Sequence, residues 1–481
     1  MRSVLVRLLD SLAGGGGLTR RCGTWRPAIA ELVKALPALL LMLAVAVINP
    51  FGIRSASDQA SIDSFQRIMA AFYPAEGQKR IAVVLIDDRS LRALGLTYPP
   101  KFTLYADLIK TVKEAGAESV LLDFNLIDPR GEPSDLTALT TAMRSLPVFL
   151  TSAEENGPAQ RCVSDPVQNL QVLREAAAAE PHPLIHDRGQ HVNLLMPDAC
   201  GKTLRPAAAL AVYADFCARR GDCQESADPM FNPNAFQDRT LFIEWGRAWP
   251  AGAEAIHTSY QKLATDCPGS GPTDFLLHTV SAIAPFSSEA ESAPDGCFYH
   301  ALIRAEWLLA PERDPELNAS ALGSALAGRI VLVGGAFTAL KDTGTSPTFG
   351  EVPGVFLHAM ALDNLIARGD GFMSPWPKGA LGALGWDAVA EFIVIAIFAL
   401  SGRWIGGKFH PTGLRQALLW TTATGLAGLA IGLALSFLVW LPGWEPVNWI
   451  GIVLAGLLLA GRPHEALKEL WSTSAMRIRA S

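Results

Sequence analysis

The sequence predicts an α/β domain on a parallel sheet with helices on both faces, set between one membrane helix and three more. Three observations predict it. Short apolar runs alternate with helical periodicity through the middle of the chain, the pattern of linked βαβ units. Four apolar stretches lie outside that region, one before it and three after. Basic residues gather in the links on one side of those stretches, and six of the seven cysteines fall on the other side.

The first apolar stretch is free of charge over 35–48, and extending it back to Ala28 adds only Glu31 and Lys34. At 28–48 it reaches the ~20 residues a spanning helix needs. The leader at 1–27 carries Arg2, Arg7, Arg20, Arg21 and Arg26. It is longer than the basic region of a cleavable signal peptide, so an uncleaved anchor is expected. Later stretches predict spans at 380–400, 416–441 and 446–461. Asp387 and Glu391 stand four apart in the first of these. Ionisable residues inside a span mark function by default; here both fall near the outer boundary, so an interfacial pair is the favoured reading. Asn448 and Trp449 open the last stretch as interfacial residues do.

Loop charge sets the orientation. The loop 401–415 carries Arg403, Lys408 and Arg415, and the tail 462–481 carries Arg462, Lys468, Arg477 and Arg479. The link 442–446 has Glu445 and no Lys or Arg. Basic loops stay in the cytoplasm. Both termini are then cytoplasmic, in a multi-pass protein of the inner membrane, and the region 50–375 is extracytoplasmic. The lipid bilayer is therefore an expected partner.

Cysteine usage agrees. Cys22 belongs to the leader, while Cys162, Cys200, Cys217, Cys223, Cys267 and Cys297 lie in the exported region. An even number there predicts disulfides, with the pairing left open. No tight Cys-x-x-Cys or Cys/His pair occurs, so neither a metal nor another cofactor is expected. The net charge is −6 and no basic block occurs in the middle region, which excludes nucleic acid as an expected partner.

Within the exported region, an amphipathic lead-in helix is expected over 55–72. The run 81–86 reads as a buried strand ending at Asp87-Asp88, followed by a helix over 104–115 and a second strand over 119–124. A helix at 135–145 precedes a strand at 148–150. Residues 204–219 read as a helix, 241–243 and 330–333 as strands, and 355–367 as the last helix. The stretch 250–315, rich in Pro, Ala, Ser and Gly, is expected to be an irregular Cys-bearing insertion.

These motifs resemble a known family. Ile81 to Asp87, with Ser90-Leu91, Gly95 and Pro99-Pro100-Lys101, resembles the opening of the type-2 CHASE domain, a cyclase/histidine-kinase-associated sensory extracellular domain. Gly116-Ala117, Val120 and Asp123-Phe124 continue the pattern. His191-Val192-Asn193, Asp198 and Gly201-Lys202-Thr203-Leu204-Arg205 are similar to its middle motif. The closing block is the most specific: Gly328 to Gly334, Asp342, Thr345-Ser346-Pro347, Pro353-Gly354-Val355 and His358-Ala359. Three membrane helices after the domain also fit the family. The resemblance implies a sensory domain. It also implies an output module after the last span; the residues past 460 are too few to fold one, so the expected readout is a separate cytoplasmic or membrane protein.

Candidate site residues follow from strand ends. Asp87, Asp88, Asp123, Asp128 and, past a loop, Asp342 cluster where open parallel sheets bind ligands. Such a pocket would take a cationic or hydroxyl-rich small ligand, or a metal ion. The same aspartates also serve as helix caps and turn residues. His358, beside Phe356, Leu357 and Met360, reads as a core histidine or a ligand contact. Asp342-Thr343-Gly344-Thr345 matches the aspartic-protease signature, but that chemistry needs two copies, which only a homodimer would bring together. The expected function is a non-enzymatic sensor that detects a small extracytoplasmic ligand or an envelope protein. A scaffold that binds an exported protein is the alternative, and an envelope enzyme using the acidic strand ends is a third.

Overall fold

The computed structural model describes residues 52–126, 130–151, 168–183, 185, 189–197, 204–221, 223, 236–237, 239–267, 297–340, 342–376, 386–406 and 414–459. They form two compact units. One comprises 63–375 with 442–445, the other the residues up to 62, 376–441 and those from 446 on. Asp128, Cys162, Cys200, the expected helix 28–48 and the tail 462–481 lie outside the described residues.

α1 (Ile53–Met69), whose residues up to Ile62 count with the smaller unit, leads to the elements of the larger one: β1 (Ile81–Asp87), α2 (Asp88–Leu94), α3 (Phe102–Glu114), β2 (Ser119–Asp123), α4 (Pro133–Arg144), β3 (Val148–Leu150) and α5 (Gln168–Ala176). Then come β4 (His191–Asn193), β5 (Leu195–Pro197), β6 (Leu204–Pro206), α6 (Ala208–Arg220), β7 (Thr240–Phe242) and α7 (Thr258–Asp266). The last set is β8 (Ala301–Arg304), α8 (Ala305–Leu309), α9 (Ala319–Ser324), β9 (Ile330–Ala336), β10 (Thr343–Ser346), β11 (Gly350–Pro353) and α10 (Gly354–Arg368).

The main sheet is parallel throughout, in the order β3-β2-β9-β1-β8. Its strands lack alternation because both faces are covered. Ile81, Val83, Leu85, Ile330 and Leu332 pack on α6 and α10. Ala82, Val84, Ile86, Val331 and Val333 pack on α3, α4 and α8. In α3 the residues Leu104, Tyr105, Leu108, Ile109 and Val112 share one buried face, as the helical period requires. Pro133 opens α4, where the Glu132 amide donates to Asp135 Oδ2 at 2.9 Å and closes a capping box. α10 is buried along nearly its whole length and lies tight on β9. A Cβ on Gly334 would sit 2.3 Å from Val355 Cβ, so glycine is what lets the helix reach the sheet.

Three expectations need correction. Residues 204–206 do not begin a helix. They form β6, paired with β5, because Pro206 has no amide to offer a helix interior. β7 joins β4 in a separate antiparallel ribbon rather than the main sheet. The stretch 250–315 is not simply an irregular insertion: α7 and α8 are helical, and β8 is the edge strand beside β1. Its apolar run, Ala301-Leu302-Ile303, is too short to announce a strand by periodicity.

Two disulfides are described, Cys217–Cys223 and Cys267–Cys297. The first closes the end of α6. The second ties the end of α7 to the segment entering β8.

The smaller unit contains α11 (Trp386–Gly406), α12 (Leu414–Trp440) and α13 (Trp449–Leu459). Among the described residues one helix, over Leu418–Trp440, is long and apolar enough to cross a membrane. Leu418, Leu419, Leu426, Phe437 and Leu438 stand exposed along it. Glu391 of α11 is buried, at 3.8 Å from Arg54 Nη2, and accepts from the Asn448 amide at 3.1 Å. Asn448 Oδ1 in turn caps α13 by accepting from the Gly451 amide at 2.8 Å, and Trp449 Nε1 donates to Ser61 O at 3.1 Å. Glu391 thus has Arg54 and the Asn448 amide as neighbours; the Asp387 side chain is outside the description.

Candidate functional site at the carboxyl ends of the strands

Connections leaving β1, β2 and β8 run over the face covered by α3, α4 and α8, whereas the connection leaving β9 reaches α10 on the other face. β9 lies between β2 and β1. A crevice opens where neighbouring connections part to opposite faces, and ligands of open α/β sheets bind in such crevices. By strand order, that change of face occurs at β9, beside the end of β2.

Asp123 ends β2 at this point. Its Oδ1 lies 3.7 Å from His358 Nε2 of α10, and Thr151 Oγ1 approaches the same oxygen at 3.4 Å. Both Asp123 and His358 side chains are at least nine-tenths buried. Asp342 approaches from the loop after β9. It is exposed as a residue, but its carboxyl turns in over α10, where a Cβ on Gly354 would sit 2.7 Å from Oδ1. Desolvation raises the Asp342 pKa above its ordinary value, and the Asp123 charge raises it further, while His358 opposes both. Among the described residues the Asp342 carboxyl has no hydrogen-bond partner. Asp342-Thr343-Gly344-Thr345 itself opens a β-hairpin with β11.

Asp87 and Asp88 are used differently. Asp87 Oδ1 caps α2, accepting from the Ser90 amide at 2.6 Å, and its Oδ2 accepts from Arg304 Nη1 at 2.6 Å. Ser90 Oγ is also 2.5 Å from Glu306 Oε2 and 2.9 Å from Asp87 Oδ1; its single proton serves one carboxylate at a time. Asp88 accepts from the Thr338 hydroxyl at 2.7 Å and amide at 3.1 Å, which hold its pKa below the usual value. Both therefore act as caps and loop ties. Of the six sequence candidates, the structure brings together Asp123, Asp342 and His358. Among the described residues no three His, Cys, Asp or Glu side chains converge as a metal-binding group.

A second polar assembly escaped the sequence reading. Asp363 and Asn364 of α10 are wholly buried. His300 and Tyr73 reach Asp363 at 2.9 and 2.8 Å, and Asn364 Nδ2 donates to Tyr73 Oη at 2.7 Å and Glu244 O at 2.9 Å. The available signal was a polar pair inside a helix apolar on every face.

Comparison with known proteins adds to this geometry. No curated protein and no solved structure matches the chain. A family model described as the CHASE2 domain matches residues 38–402, well over half of the 481. That range holds the whole parallel sheet, the Asp123–His358–Asp342 crevice and the two disulfides. The chain belongs to the CHASE2 family of sensory extracellular domains.

Proposed function

We propose that this protein is a multi-pass inner-membrane sensor, with both termini cytoplasmic. Its extracytoplasmic domain detects a small ligand and passes the signal through the membrane helices to a separate partner protein. The observation that carries the ligand reading is the meeting of Asp123, His358 and an Asp342 carboxyl with no hydrogen bond among the described residues, at the ends of β2 and β9. Two carboxylates beside one imidazole favour a cationic or hydroxyl-rich ligand. Such a ligand would offset the desolvation and the Asp123 repulsion that raise the Asp342 pKa. The exposed leucines of α12 and the cysteine bridges support membrane insertion and export. Ligand binding shifts a helix arrangement only by as much as it favours one state over the other.

The test is a titration of the full chain in nanodiscs with a panel of small amines and polyols, read by calorimetry. Wild-type protein should bind at least one saturably. Asp123→Asn should abolish that binding with little change in thermal unfolding. A large loss of stability with unchanged binding would return Asp123 to a structural role. Stable co-purification with an exported protein, without any small ligand, would favour the scaffold reading.

A further inference from the structure

Arg80 directly precedes β1, so it marks the end of the sheet opposite the acidic strand ends. A cavity of about 340 Å³ opens there. Arg80, Arg368, Glu76, Asp370, Phe216 and Ile366 are among its lining residues. That volume is near the lower bound of small-molecule sites, roughly 300–1,000 Å³.

The two arginines are not equivalent. Arg368 is committed: its Nε and Nη2 donate to the two carboxylate oxygens of Glu244 at 2.9 and 2.8 Å. Glu244 is fixed in turn, because its amide donates to Asn364 Oδ1 at 2.7 Å. Arg80 uses only its backbone, donating to Gly77 O at 2.8 Å and accepting from the Ile330 amide at 2.8 Å. Arg80 is half-buried as a residue, and its guanidinium makes no hydrogen bond or ion pair among the described residues.

Opposite charge lines the same cavity. The Glu76 and Asp370 carboxylates make no hydrogen bond or salt bridge among the described residues; Arg239, which donates to Asp370 O at 2.6 Å, lies near enough to feel the Asp370 charge. α10 ends at Arg368, and the partial negative charge of its last carbonyls adds to theirs. Phe216 and Ile366 add apolar wall to the cavity.

A simple anion would meet Arg80 but also two carboxylates. A simple cation would meet the carboxylates but also Arg80. A molecule carrying both charges a few ångströms apart satisfies every group. We propose that this cavity binds a free α-amino acid, its carboxylate on Arg80, its ammonium toward Glu76, Asp370 and the end of α10, and its side chain on Phe216 and Ile366. This second site goes beyond the crevice at Asp123 and does not depend on it.

The test uses the full chain in nanodiscs, titrated with each of the standard amino acids and with their amides and N-acetyl derivatives. Thermal unfolding and calorimetry report binding. At least one free amino acid should bind saturably, and its amide and N-acetyl forms should bind at least ~10-fold more weakly. Arg80→Gln should lose the binding, while Asp123→Asn should keep it. Should Arg80→Gln fail to fold, Glu76→Gln at an exposed position takes its place, with a loss of at least ~10-fold expected. The proposal is overturned if no free amino acid binds, if the blocked derivatives bind equally well, or if these cavity variants leave affinity unchanged. Loss of binding in Asp123→Asn would place the ligand in the other crevice and also overturn it.

Discussion

His300 Nε2 meets Asp363 Oδ2 at 2.9 Å, and neither side chain has any solvent-accessible surface. His300 stands just before β8 and Asp363 lies on α10, so the contact ties the edge of the sheet to the helix buried across it. Gly77 passes so close that a Cβ there would lie 2.4 Å from the Asp363 carboxyl carbon. Burial raises the Asp363 pKa above the usual carboxylate value, with the His300 hydrogen bond and charge pulling it back. His300→Ala should cost about 3–5 kcal/mol, because it strands a buried carboxyl without its partner. Asp363→Asn should cost less, since the amide still accepts from Tyr73. Denaturant unfolding of the full chain in detergent checks the order; a His300→Ala loss below that of Asp363→Asn would contradict it.

The Asp342 carboxyl makes a prediction in pH. Its folded pKa is raised, by desolvation first and then by Asp123. The folded state therefore holds this proton more tightly than the unfolded chain, whose value is about 3.9. That contribution favours folding below the unfolded pKa and is lost as pH rises through the raised folded pKa. Asp342→Asn should then match or exceed the wild-type Tm at about pH 7, and lose ground to it toward about pH 4. Thermal melts across that range decide; a variant that melts lower at neutral pH would mean the carboxylate is structurally paired.

Gly334 and Val355 meet where β9 packs on α10. Gly334→Ala should destabilise by about 1–3 kcal/mol or more through overpacking. Adding Val355→Ala should recover part of the loss, because the two side chains would compete for one space. Additive losses in a double-mutant cycle would contradict the contact.

Bridge mapping by mass spectrometry without reduction should recover Cys217–Cys223 and Cys267–Cys297, leave Cys22 free, and find Cys162 and Cys200 oxidised. Opening the Cys267–Cys297 loop of 30 residues by Cys→Ser substitution should cost about 2–4 kcal/mol. Alkylatable thiols at all four positions in protein taken from the native envelope would contradict the bridges.

Reporter fusions test the membrane topology. A fusion after Pro375 should report the outside, and fusions at Gly407 and Ser481 the cytoplasm. An outside signal at Ser481 would remove the short span at 446–461 or the four-span arrangement as a whole.

Much of this molecule is legible in local pattern. The runs 81–86 and 330–333 are apolar at every position, so they announce strands covered on both faces, and the intervening helical periods imply the parallel sheet. The candidate aspartates stand at strand ends for the same reason: a chain leaving a sheet turns, and Asp suits turns and caps. Which of them cap and which face the crevice is a matter of distance. Asp87 and Asp88 are claimed by Arg304 and Thr338, more than two hundred residues away in sequence. Asp123 meets His358 because β9, late in the chain, inserts between β2 and β1. No periodicity encodes that insertion. The strand order, the edge position of β8, the buried His300–Asp363 pair and the cavity at Arg80 all arise when distant segments compete to bury apolar surface. Local residues specify each element, whereas the neighbours each element finds are set by the packing of the whole chain.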